Sequence, residues 1–268
     1  MTGAVPDTLV AFAERLADES GAIVRRYFRS GFDVIDKPDR SPVTIADREA
    51  EAAMRRLIAE HHPQHGVIGE EHGEDRPDAE FVWVIDPIDG TKGFACGRPL
   101  FGTLIALCRN GTPVVGIVDH PALRERWVGA TGRPTTFDGR PVRTRTGRTM
   151  AQAVLLASSP HMFKGAQQPA FDRVRQACRF VQYGSDCYHY GIVASGFGDI
   201  AIEASMGIYD YLAAVPVIEG AGGVATDWAG RTLTIRSGDT ILAAGDAALH
   251  AAALALLNRA NFSRQGPG

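Results

Sequence analysis

The sequence predicts an α/β chain in two layered parts, an α+β half over residues 1–145 and an α/β half over residues 146–268. Three observations carry this. Two stretches near the N-terminus space their apolar residues as helices do. Three apolar runs then follow one another with only short connections. Beyond them, helical and strand patterns alternate to the end.

Residues 8–28 carry Leu9, Phe12, Ala13, Leu16, Ile23 and Val24 at mostly helical spacing, with Gly21 as a weak point. Residues 45–60 repeat the pattern through Ile45, Ala53, Met54, Leu57 and Ile58. The runs "HGVIGEE" and "EFVWVID" are short, apolar and end in acids, and read as strands. "LFGTLIALCRNGTPVVGIVDHPALRERWVGAT" reads as strand, turn at Asn110-Gly111, strand, loop, strand, which is an antiparallel meander. The polar, basic stretch "RPVRTRTGRT" marks a soft boundary between the halves. After it, "AVLLASS" reads as a strand, "PAFDRVRQAC" as a helix and "RFVQYG" as a strand. "SDCYHYGIVASGF" reads as a helix, "DIAIEAS" as a strand, and "YDYLAAVPVIEGAGG" as a helix despite Pro216. "GGVATDWAGRTLTI" and "TILAAGD" add strand, and "AALHAAALALLNRA" closes the chain as a helix. The tail "SRQGPG" reads as disordered.

The 268 residues are 45% hydrophobic and 22% charged, an ordinary globular balance. A net charge of -3 leaves no electrostatic footprint for nucleic acid. Small anionic substrates stay open, because a bound metal can reverse the local field. No apolar run of about 18 residues predicts a membrane span. The start "MTGAVPDTLVAFAERLADES" lacks the features of a signal peptide, so a cytoplasmic protein is expected. Cys96, Cys108, Cys178 and Cys187 form no C-x-x-C pair and read as separate reduced thiols.

The chemistry concentrates in "WVIDPIDGTKGF", residues 83–94. Asp86 and Asp89 stand at the end of an apolar strand, where buried charge is costly unless paired. A simple turn is the plain alternative, since Pro87 and Gly90 suit one. Gly90-Thr91 can expose backbone N–H groups to an anion. Two carboxylates beside an anion cradle make sense together if hard divalent cations sit between them, held by oxygen ligands. Glu70 and Glu71 end another apolar run, although by themselves they suit a solvated acidic loop. Asp47 follows Thr44 by three residues, the spacing of a helix capping box. Asp210 reads as the start of a helix. In "DIAIEA", Asp199, Ala201 and Glu203 share one face of a strand and Ile200 and Ile202 the other. His61, His62 and His65 read as loop residues, and Lys37 as a solvated lysine.

In order, "GEE", "WVIDPIDGTKGF" and "YD" upstream of "EGAGG" resemble the inositol monophosphatase family of metal-dependent phosphatases, over roughly residues 8–258. The resemblance implies an alternating α-β-α-β-α sandwich, assembled as a homodimer. It makes Glu70, Asp86, Asp89 and Asp210 side-chain ligands of two or three Mg2+ ions, with the Ile88 carbonyl as a further ligand. It gives Gly90 and Thr91 the phosphate, and Asp47 and Thr91 the orientation of the attacking water, with Glu70 beside it. Three positions depart from the family pattern: Gly93, Tyr209 and Leu212.

The implied reaction is hydrolysis of a phosphate monoester of a small metabolite. Specificity is expected at Gly184, Ser185, Asp186 and Glu203. A second acid beside Glu203 suits an ammonium better than a neutral polyol. The plain alternative makes Ser185 an N-cap and Asp186 a helix-start acid. "YGSDCYHYGIVASGFGDIAIEA" also resembles the histidinol-phosphate phosphatase branch of that family. Tyr188 and His189 suit packing near an imidazole, a helix core or a subunit interface alike. Two other readings stand beside this one. One is an inositol-1-monophosphatase or general sugar monophosphatase. The other is a metal-binding regulatory scaffold without turnover.

Overall fold

A computed structural model describes residues 4–31, 34–36 and 42–259. Lys37 and the tail 263–268 lie outside them. Helix α1 (Asp7–Tyr27) leads through the short pair β1 (Val34–Asp36) and β2 (Pro42–Thr44) into α2 (Ile45–His61). Then come β3 (Gly66–Gly69), β4 (Gly73–Asp75), β5 (Phe81–Asp89) and the short helix α3 (Thr91–Ala95). The meander β6 (Gly102–Arg109), β7 (Thr112–His120) and β8 (Glu125–Ala130) follows, with β9 (Thr136–Phe137) and β10 (Arg140–Pro141) after it. Beyond lie β11 (Val154–Ala157), α4 (Gln167–Ala177), β12 (Phe180–Tyr183), α5 (Tyr188–Ala194) and β13 (Ile200–Ala204). The chain ends with α6 (Ala214–Gly220), β14 (Val224–Thr226), β15 (Thr240–Ala244) and α7 (Ala247–Leu257).

Strands β3 to β10 form one sheet in the order β10-β9-β8-β7-β6-β5-β3-β4. Only β3 and β5 pair in parallel within it. The expected meander is present, and Asn110 and Gly111 both take positive φ, as a two-residue hairpin turn requires. The second sheet runs β12-β11-β13-β15-β14, with β12, β11 and β13 parallel.

Alternation along the strands builds the layers. Trp83 and Ile85 of β5 pack with Phe12 and Leu16 of α1 and Met54 and Ile58 of α2. Val82 and Val84 face the other way, towards Tyr190 of α5 and Val217 and Ile218 of α6. The same middle layer receives Leu156, Ala201 and Ala243 from the second sheet. Ile200, Ile202 and Leu242 point outward, onto Phe171 of α4 and Leu249 of α7. The order of layers is therefore helix, sheet, helix, sheet, helix. Both sheets are covered on both faces, which is why β5 reads as an unbroken apolar run.

Some elements differ from the sequence expectation. The helix expected from Ser185 begins at Tyr188, and that expected from Tyr209 begins at Ala214. Pro216 then falls in the first turn of α6, where its missing N–H costs no helical bond. Of "GGVATDWAGRTLTI", only Val224–Thr226 is strand. Asp227 folds the rest into a turn by accepting from the backbone N–H groups of Ala229 and Arg231. The acidic stretch after Glu71 contains β4, paired antiparallel to β3. His61 closes α2 rather than lying in the loop. His65 is buried and accepts from Trp83 Nε1 at 3.1 Å. No helix among the described residues is long and apolar enough to cross a membrane.

Helix α6 lies directly on β7 and β8. A Cβ on Gly116 would fall 1.9 Å from the Ala213 carbonyl oxygen, and one on Gly129 2.4 Å from Pro216 backbone. Gly116→Ala is expected to destabilise the fold by about 1–3 kcal/mol or more, through overpacking. Denaturant unfolding checks this, and wild-type stability would show that α6 can shift.

Candidate active site

The end of β5 departs from regular pairing. Its register against β6 shifts between Asp86 and Asp89, and this irregularity turns both side chains into one space. Asp86 is buried and accepts from the Ile88 N–H at 2.9 Å. Gly90 takes φ +85°, a conformation open to glycine, and starts α3 at Thr91. The Thr91 hydroxyl donates to the Ile88 carbonyl at 3.0 Å. Asp210 arrives from the other half, in a 3-10 turn over Ile208–Asp210. It is thus not the helix start that its sequence suggested. The Gly207 N–H donates to it at 2.6 Å.

Carboxylate oxygens of Asp86, Asp89 and Asp210 lie within 4.8 Å of one another. Glu70 does not join that tight triad, yet its charge is near enough to raise all three. Burial raises the Asp86, Asp89 and Asp210 carboxyls; Asp89 adds to the rise of Asp86 and Asp210, and Asp186 to that of Asp89. Such an all-oxygen set of mutually repelling acids fits a hard divalent cation.

Asp47 sits on α2, and its capping role is real. Its Oδ2 accepts from the Thr44 N–H at 2.8 Å and the Thr44 hydroxyl at 2.5 Å. Its Oδ1 is buried without a hydrogen-bond partner among the described residues. Burial, offset in part by the Thr44 bonds, pushes its carboxyl up to about 7, and Glu71 and Glu70 add to the rise.

The expected specificity segment lies at the same mouth. Asp186 takes φ +44° before α5, and its carboxylate rests on Gly90, 2.8 Å from where a Cβ would stand. It is neither a helix-start acid nor preceded by an N-cap, because the position before α5 is Cys187, without a side-chain cap bond. Burial raises the Asp186 carboxyl, while Arg98 and Lys92 oppose that rise. The Ser185 hydroxyl is buried and has no hydrogen-bond partner among the described residues. Gly184 has its carbonyl held by Arg98 at 2.7 Å. Glu203 is buried on β13, and Asp186 and Asp89 both raise it beyond what burial does. His189 is fully buried on α5, with Nε2 3.9 Å from Glu203 Oε2. Tyr188 instead donates to Glu125 at 2.8 Å.

Two supporting residues have no distinctive sequence signal. Ser158, at the end of β11, donates its N–H and hydroxyl to the two oxygens of Glu203, at 2.5 and 3.0 Å. Cys187 donates its N–H to Asp89 at 2.6 Å. A backbone donor can belong to any residue type, so only the serine at a strand end was there to be noticed.

Residues 5–261 match the inositol monophosphatase family. The chain belongs to that family. This phosphatase family is metal-dependent, consistent with the acid triad. The chain is 46% identical to Bifunctional phosphatase IMPL2, chloroplastic, of Arabidopsis thaliana, over 92% of this chain and 74% of that one. It is 34% identical to a histidinol-phosphatase of Chlorobaculum parvum, over 90% and 93%. An inositol monophosphatase structure from Zymomonas mobilis superposes with a TM-score of 0.87 at 42% identity, over 94% and 98%. The layered fold is thus that of the inositol monophosphatases.

The Asp47 environment predicts a pH dependence. A carboxyl raised in the fold favours the protonated state. Its contribution to stability is full below the unfolded value of about 4 and is lost as the pH rises through 7. Asp47→Asn keeps an acceptor for Thr44 and cannot ionise. In chelator-treated protein, the thermal midpoint of the variant should gain on wild type between about pH 5 and about pH 8. A constant difference would contradict the raised carboxyl.

Proposed function

We propose that this chain is a Mg2+-dependent phosphate monoester hydrolase whose substrate is histidinol phosphate, serving histidine biosynthesis. One observation carries the choice of substrate. Asp186 rests against Gly90 at the mouth of the acid cluster, close enough to Glu203 for their charges to interact. Two acids there favour an ammonium on the leaving group. A histidinol-phosphatase among the relatives supports the same choice.

Glu70, Asp86, Asp89, Asp210 and the Ile88 carbonyl would hold the ions. Bound magnesium would neutralise the phosphate, acidify a water and stabilise the leaving oxygen. The chain's own groups do the rest. Gly90 and Thr91 present backbone N–H groups to the phosphate. Thr91 and Asp47 orient the water for attack on phosphorus, and Asp47 receives its proton through Oδ1, which has no hydrogen-bond partner among the described residues. Glu203, fixed by Ser158, and Asp186 bind the ammonium. Gly184 and Ser185 shape the wall beside them. No covalent phosphoenzyme is needed.

Inositol phosphate is the second reading, favoured by the likeness to the Zymomonas mobilis inositol monophosphatase. Assembly as a homodimer belongs to the proposal, and the exposed Phe180 and Phe197 offer apolar surface for it.

Phosphate release with magnesium, from histidinol phosphate and inositol phosphate side by side, tests the substrate. A clear preference for histidinol phosphate is expected, and a preference for inositol phosphate contradicts it. Asp186→Asn should raise KM for histidinol phosphate on the order of tenfold and spare inositol phosphate. Equal loss on both esters would remove Asp186 from amine recognition. Asp89→Asn should keep the fold and lose on the order of a hundredfold or more in turnover. Wild-type turnover in that folded variant would sink the ligand assignment.

A further inference from the structure

Glu70 follows β3, on a loop that one buried side chain holds from behind. The Glu71 N–H donates to Oε2 of Glu51 at 2.7 Å, and the His72 N–H to Oε1 at 3.1 Å. Arg55, one helical turn further along α2, donates Nε to Glu51 Oε1 at 2.7 Å. Its other end reaches the Gly73 carbonyl. His72 Nδ1 lies 3.4 Å from the same oxygen. The Glu51 side chain has no exposed surface. It fits because residue 69 is glycine: a Cβ there would fall 2.1 Å from Glu51 Oε1.

Two amide donors and a guanidinium satisfy both oxygens of this carboxylate, which is the structural reason it can be buried. All these donors come from the loop or from Glu51's own helix. Its bonds tie α2 to the two residues that follow Glu70. On the other side, the Glu70 N–H donates to the Ile85 carbonyl at 3.3 Å, beside Asp86.

We infer that Glu51, with Arg55, is a positioning residue for Glu70: it fixes residues 69–73 so that the Glu70 carboxylate faces the acid triad, and thereby sets divalent-cation affinity without touching the cation. The inference rests on the reading of Glu70 as a ligand proposed above. Without the clamp, the loop would have to be ordered at the moment of binding, which costs affinity. Partners that orient a ligand are typically worth 10–100-fold in metal affinity.

The test is calorimetric titration of magnesium chloride into the chelator-stripped full chain. Glu51→Gln and Gly69→Ala should each weaken binding on the order of tenfold. Amide hydrogen exchange at Glu71 and His72 should accelerate in both. Leu16→Ala, in the distant core, should lower the thermal midpoint and leave magnesium affinity unchanged. Should Glu51→Gln not fold, Arg55→Lys keeps the charge, loses the forked contact and carries the same direction of change. Glu70→Gln separates the two ideas. If it weakens binding while Glu51→Gln and Gly69→Ala match wild type, the clamp is overturned and the ligand reading stands. If Glu70→Gln binds as wild type does, the ligand reading falls and the clamp falls with it.

Discussion

Carboxylates that share a buried space repel one another, and most of the local architecture follows from managing that repulsion. Asp86, Asp89 and Asp210 converge within 4.8 Å, with Glu70 adding charge from the side. Held this close together, with Asp86 buried and Asp89 and Asp210 half-buried, they resist ionising together. Either protons or cations must accompany them. The chain does supply local relief, through the N–H groups of Ile88, Cys187 and Gly207, one to each acid. Those bonds orient the carboxylates without cancelling their charge. A site built this way fits a hard divalent cation.

The layers exist to bring the acids together from distant parts of the chain. The β5 irregularity delivers two of them, and a 3-10 turn ahead of α6 delivers the third. The two sheets meet across one middle layer, and α6 is seated there by Gly116 and Gly129. A shift of α6 would therefore move Asp210 relative to β5. Packing in the core and geometry at the site are the same constraint seen at two distances.

Much of this was legible in the sequence because its signals are local. An apolar run ending in "DPIDG" announces acids at a strand end. The Asn110-Gly111 pair announces a hairpin, and Thr44 with Asp47 a cap. What stayed hidden depends on contacts between distant segments. Asp210 looked like a helix start because nothing nearby shows that α6 waits until Ala214. For Asp186 the helix-start alternative stayed open, since a positive φ in a non-glycine residue leaves no mark in the sequence. Glu51 carries no local signal in the sequence. Its burial is decided by Gly69 and two backbone amides about twenty residues on.

Burial and neighbouring acids raise the Asp86, Asp89 and Asp210 carboxyls, so the cation proposed for this site has protons to displace. Titration of magnesium into the chelator-stripped chain near neutral pH, in two buffers of unequal ionisation enthalpy, measures this directly. Net proton release on binding is predicted, because burial and neighbouring acids raise Asp86, Asp89 and Asp210 in the metal-free state. Binding heat that is the same in both buffers would contradict it.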